Sequence, residues 1–139
     1  IHSGGSSRTL SPMECGISLA RIIHNDLVEA DCSGWQWWTT FEKDASSGNE
    51  ERFALIRYIL NNQQTDGVYR PTKLLYALGN FSRFIRPGMK RVDVMRLDGL
   101  SAADAIANQM VSAYIDEINH ELVIVVINAS TQSRSIRIK

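Results

Sequence analysis

The chain changes rhythm once, and that change limits what it can fold into. Before Pro87-Gly88, apolar residues recur at helical spacing; after it they alternate two by two. Leu74, Leu75, Leu78, Phe81 and Ile85 form one stripe, opened by Pro71 and stopped by Pro87-Gly88, which predicts a helix over 71–85. Beyond it, Val92 and Val94 flank Asp93, 110–116 alternates, and 121–128 is rich in Val and Ile. In 135–139, Ile136 and Ile138 are expected inward with Arg137 outward. EINH, 117–120, reads as a hairpin connection, and 100–107 as a short helix or a loop. The fold class expected is α/β followed by all-β, with a boundary near Gly88.

The first half carries a second clear helix signal. Ser11 is a natural N-cap, Pro12 suits the first helical position and Glu14 completes a capping box, so a helix is predicted over 12–29. Gly16 within it is either a small cost or a point of close packing. Residues 1–10 and 42–51 read as polar loops. The segment 53–60 fits a strand or a helical turn. The polar turn 61–67, ending in Asp-Gly, favours a hairpin joining 54–59 to 67–70.

Between the first helix and the first polar stretch, SGWQWW (33–38) contains all three tryptophans of the chain. Residues 31–40 read as a strand. Alternation puts Gly34, Gln36 and Trp38 on one face, Trp35 and Trp37 on the other. Two readings stand. All three rings are core material, or Trp38 and Gln36 form a sugar site, the ring stacking on C–H faces while the amide binds hydroxyls.

Totals narrow the function. Fifteen basic residues meet fifteen acidic ones, leaving no general electrostatic attraction to nucleic acid or to an anionic membrane. The longest apolar run, 122–127, is strand-sized, far short of the ~20 residues that span a bilayer. Cys15 and Cys32 show no metal-ligand spacing and read as small buried hydrophobes, with a disulfide open to them in an oxidising compartment. His24 is placed where a helix dipole favours imidazolium, and with Asp26 it makes a poor acid/base pair. Glu42, Asp44, Glu50 and Glu51 lie in a polar stretch with nothing to raise a carboxylate pKa. Arg83, Arg86, Lys90 and Arg91 read as helix-end charges and interdomain pairs rather than a nucleic-acid patch. Asn128-Ala129-Ser130 fits a short glycosylation pattern. The chain alone displays no catalytic set, and no metal or cofactor is expected.

ARIIHNDL (20–27), SGWQWW (33–38), PTKLLYALGNFSRFIRPGMKRV (71–92) and LVIVVIN (122–128) together resemble the C-terminal part of glycoside hydrolase family 30. The endo-β-1,6-galactanase-like branch is the nearest on SGWQWW and NFSRFIRPG. The resemblance implies the C-terminal portion of a (β/α)8 TIM barrel over 1–88: helix 7 at 12–29, strand 8 at the tryptophans, helix 8 at 71–85. Strands of a flanking β-sandwich would follow over 89–139. It implies a retaining hydrolase of a β-linked polysaccharide, extracytoplasmic, whose two catalytic Glu lie upstream of Ile1. This chain would supply Trp38 and Gln36 to the sugar site, with Trp37 a weaker candidate because its parity points away. The expected partners are a polysaccharide or oligosaccharide substrate and the remainder of the same enzyme. The alternative is a non-catalytic carbohydrate-binding or structural β module.

Overall fold

The computed structural model describes residues 10–44 and 53–139. The loop expected at 1–10 therefore lies outside the described residues except for Leu10, as do Glu50 and Glu51.

Helix α1 runs Pro12–Val28 and starts as the capping signals require. The Ser11 backbone N–H donates to Glu14 Oε2 at 2.8 Å, and the Glu14 N–H donates to Ser11 Oγ at 3.3 Å. Its inward residues, Leu19, Ala20 and Ile23, are buried. Gly16 is a point of close packing. A Cβ there would lie 3.1 Å from the Lys73 Cβ and carbonyl oxygen, where the next long helix begins.

Three short strands follow α1: β1 (Phe41–Lys43), β2 (Ile56–Leu60) and β3 (Gly67–Pro71). β1 pairs parallel with β2, and β2 pairs antiparallel with β3, Tyr58 opposite Tyr69. The open choice at 53–60 resolves as a strand, and the expected hairpin is present. The polar loop expected from residue 42 is corrected at its start, because 42 and 43 belong to β1. A ladder partner outweighs their charge.

Helix α2 spans Lys73–Ser82, shorter than the expected 71–85. Pro71 ends β3 instead of opening the helix, opposite Ile56. Thr72 is the N-cap, but its hydroxyl donates to the carbonyls of Ala54 (2.8 Å) and Leu55 (3.1 Å) rather than capping α2. The start of α2 is thereby fastened to the base of the hairpin. Leu74 and Phe81 are buried, with Leu75, Leu78 and Ile85 packed beside them.

The second sheet has order β4-β5-β6, with β4 at Lys90–Val92, β5 at Gln109–Asp116 and β6 at Glu121–Asn128. All pairings are antiparallel, Met110 opposite Ile127. Helix α3, Ala102–Asn108, precedes β5, its Ser101 hydroxyl accepting from the Asp104 N–H at 3.1 Å. Asp116 Oδ1 accepts from the N–H groups of Ile118 (2.9 Å) and Asn119 (3.0 Å), which closes the hairpin at 117–120. The strand expected at 135–139 is absent, and Ile136 and Ile138 are exposed. No neighbour pairs with that segment among the described residues, so alternation alone does not make it a strand.

One hydrophobic cluster joins the two halves. Leu19 and Ile23 of α1 and Leu74 and Phe81 of α2 meet Met110 and Tyr114 of β5 and Val125 and Ile127 of β6. A groove of about 760 Å³ runs between both helices and the side of β6. Among the described residues, no helix is long and apolar enough to cross a membrane.

Candidate functional site

The tryptophan segment is not a strand; residues 31–40 join no ladder. The expectation of a strand there is corrected: ladder pairing begins only at Phe41, although the Thr39 and Thr40 carbonyls already accept from the N–H groups of Leu55 and Ile56. The backbone is nevertheless ordered by its side chains. Burial alternates as expected for extended chain, with Trp35 and Trp37 turned in and Gln36 and Trp38 turned out.

The two inward indoles are fixed at both ends. Trp35 and Trp37 stack with centroids 5.8 Å apart and planes 8° from parallel. Trp35 Nε1 donates to Asp26 Oδ2 at 2.8 Å, and Trp37 Nε1 donates to the Phe53 carbonyl at 2.6 Å. Both pack against the hydrophobic cluster. Asp26 thus anchors an indole, as α1 ends beside the segment.

Trp38 is 75% exposed. Its nearest ring is Phe53, with centroids 6.0 Å apart and planes tilted by 49°. Immediately after it, the Thr39 and Thr40 carbonyls accept from the N–H groups of Leu55 (3.1 Å) and Ile56 (2.8 Å). The backbone under Trp38 is therefore held while its ring faces outward beside exposed Gln36. A flat apolar ring with an amide two residues away can take a sugar's C–H face and its hydroxyls. Phe53 is the residue that sequence reasoning missed. Its only signal was an aromatic at the edge of a segment with undecided periodicity.

The remaining candidates take structural roles. His24 is buried at 6% exposure, and burial lowers its pKa below the usual 6.5, with Glu29 partly opposing. This corrects the expected helix-end imidazolium, since desolvation of the cation outweighs the dipole. Asp44 is also not solvated: its carboxylate pairs with Arg70 and its N–H donates to the Tyr58 carbonyl at 2.8 Å. Glu42 lies 3.7 Å from the buried Arg57 guanidinium. Arg86 donates to the Ser82 carbonyl at the end of α2 (2.8 Å), and Lys90 pairs with Glu117 (2.5 Å). Arg91 pairs with Asp31 (3.1 Å), tying the tryptophan segment to β4. Asn128 Oδ1 accepts from the Ser130 N–H at 3.1 Å within a turn. Cys32 is exposed, correcting its expected burial; Cys15 is half-buried, and no disulfide joins them. No group of His, Cys, Asp or Glu among the described residues is placed to hold a metal.

The segment that carries this outward indole is also where a known protein family matches. The profile of O-Glycosyl hydrolase family 30 matches residues 2–48, which include the tryptophans. The chain is similar to Glucuronoxylanase XynC of Bacillus subtilis (strain 168), 30% identical over 114 residues, covering 82% of this chain and 21% of that protein. It is also similar to a solved structure described as a conserved exported protein from Bacteroides fragilis. The TM-score is 0.76 and the identity 34%, over 95% of this chain and 27% of the other. The chain thus spans 21% and 27% of the lengths of these two relatives. The sequence matches support membership of glycoside hydrolase family 30.

Proposed function

We propose that this chain is the C-terminal part of a retaining glycoside hydrolase that cleaves a β-linked polysaccharide, of the β-1,6-galactan type or a related one. The observation that carries the reading is the sorting of the three indoles: two locked inward, Trp38 presented outward beside Gln36. Trp38 walls a sugar subsite and Gln36 binds hydroxyls; Trp37 supports the wall from behind.

In this reading residues 1–88 close a (β/α)8 barrel. α1 is its seventh helix, the tryptophan segment with β1 its eighth strand and α2 its eighth helix. The alternating sheet of 89–139 belongs to a flanking β-sandwich. The two catalytic Glu, one acid/base and one nucleophile, come from the remainder of the enzyme, so this chain alone is inactive. The remainder would also cover β6, whose outer edge is unpaired among the described residues and whose Leu122 and Val126 are exposed along the apolar groove. An extracytoplasmic location fits the exported relative.

The test is Trp38→Ala in the complete polypeptide, assayed on β-1,6-galactan and on glucuronoxylan. A several-tens-fold loss of kcat/KM with unchanged thermal stability is expected. Unchanged kcat/KM on the better substrate removes Trp38 from the site.

A further inference from the structure

Phe53 meets both of the neighbouring indoles that the fold sorts to opposite sides. Its carbonyl accepts from Trp37 Nε1 at 2.6 Å. Its half-buried ring lies 6.0 Å from the Trp38 ring, centroid to centroid, with planes tilted by 49°. That separation and tilt fall in the range where aromatic pairs attract. The chain just after Phe53 is fastened, with Ala54 and Leu55 both buried. The Leu55 N–H donates to the Thr39 carbonyl (3.1 Å), and the Leu55 carbonyl accepts from the Thr72 N–H (3.0 Å). The Thr72 hydroxyl donates to the Ala54 carbonyl at 2.8 Å. Phe53 is therefore a ring on a fixed base. The Trp38 ring is held differently from the other two indoles. Trp35 and Trp37 are fixed by their N–H groups and by each other, whereas the aromatic ring that Trp38 meets among the described residues is Phe53.

We infer that Phe53 is a positioning residue for Trp38: its ring holds the outward indole in the orientation that stacks on a sugar. The inference rests on the proposed hydrolase reading and deepens it. A mostly exposed side chain that turns freely gives up that freedom when a ligand orders it, and a ring already held gives up less. Phe53 thus pre-orders the wall of the subsite without itself touching the glycan. A held wall serves the bound substrate and the transition state alike, so its loss raises KM and leaves kcat near the wild-type value. A role in stability alone predicts something else. Loosening the chain at the Trp37–Phe53 junction would then harm the site whether or not the Trp38 ring is present.

The experiment is a double-mutant cycle in the complete polypeptide: wild type, Phe53→Ala, Trp38→Ala and the double variant, with Phe53→Tyr alongside. kcat and KM are measured on β-1,6-galactan or on glucuronoxylan, whichever the wild type cleaves faster. Phe53→Ala is expected to raise KM by about 2- to 10-fold, and Phe53→Tyr to restore the wild-type KM. In the Trp38→Ala background, Phe53→Ala should add nothing. A wild-type KM in Phe53→Ala, a loss confined to kcat, or an equal loss in both backgrounds overturns the positioning role. If Phe53→Ala melts early, Phe53→Leu, which keeps most of the buried volume without the aromatic ring, carries the same cycle. Should the wild type cleave neither glycan, or Trp38→Ala leave kcat/KM unchanged, the proposed sugar site fails and the positioning role with it. If Trp38→Ala loses activity and Phe53→Ala does not, only the positioning role fails.

Discussion

Trp37 and Trp38 are sequence neighbours with opposite environments, so alanine at each should produce opposite phenotypes. Trp37 is half-buried, stacked on Trp35 at 5.8 Å and bonded to the Phe53 carbonyl at 2.6 Å. An enclosed indole buries about 150–250 Å². For a half-buried one, about 100 Å² of apolar surface at about 25 cal/mol per Å² gives ~2.5 kcal/mol. Ring stacking contributes about 0.5–1.5 kcal/mol more, and the hydrogen bond to the Phe53 carbonyl about 1 kcal/mol. Trp37→Ala should therefore destabilise by about 3–5 kcal/mol, allowing for partial relaxation of the site. In the complete polypeptide, several times longer than this chain, that corresponds to a fall in Tm of about 5–10 °C. Trp38→Ala removes a ring that is mostly in water and should change Tm by about 2 °C or less. Thermal unfolding of both variants in the complete polypeptide, followed by near-UV circular dichroism, reads the difference. Loss of the coupled signal of the stacked indoles should accompany Trp37→Ala alone. If the two variants melt together, or Trp38→Ala melts first, the sorting of the rings by face is wrong.

Two further outcomes follow from the same structure. A Cβ at Gly67 would lie 2.2 Å from the Ile59 carbonyl oxygen and 3.0 Å from the Leu60 Cα, so Gly67→Ala should push the hairpin apart and destabilise by about 1–3 kcal/mol, read in urea unfolding; wild-type stability would refute it. His24 is held neutral by burial, with Glu29 opposing and Arg91, Asp93 and Arg96 lining the same cavity. Its folded pKa is below the unfolded value, so the unfolded chain takes up the proton first. Its contribution to stability is complete above about pH 6.5, is lost as pH falls below that, and levels off beneath the folded pKa. Tm should drop between pH 7.5 and 5.5, and His24→Gln should flatten that drop; an equal drop in the variant would refute the assignment.

How far the sequence could be read depended on whether a signal was local. The capping box at Ser11 and Glu14 needs no partner outside its own turn, and α1 begins where it says. The hairpin 117–120 is closed by Asp116 within four residues, and β6 occupies 121–128 as alternation requires. Pro71 misled because its fixed φ suits a helix start and a strand end alike. What decided between them was the distant bond from the Thr72 N–H to the Leu55 carbonyl, 3.0 Å. His24 misled for a similar reason: its position in α1 was visible, but its burial depends on residues some 70 to 90 positions away. In the candidate site, parity was legible and separated Trp38 from Trp37. Phe53 was not, since only the folded hairpin brings its ring to Trp38.

The departures from the expected strands share a physical cause. Residues 31–40 keep two-by-two burial without a ladder, and 135–139 keep the alternating isoleucines without pairing or burial. Among the described residues β6 has a partner on one side only, while Leu122 and Val126 remain exposed along the groove. In each case the side-chain pattern suits a sheet, but among the described residues no further strand completes a ladder beside it, and alternation supplies only a face whereas a second backbone satisfies the N–H and C=O groups. The larger enzyme proposed above would provide such neighbours, at the barrel seam and at the sandwich edge. It also accounts for why order at the tryptophans comes from indole hydrogen bonds to Asp26 and Phe53: those side-chain anchors hold an extended segment in place where no ladder does.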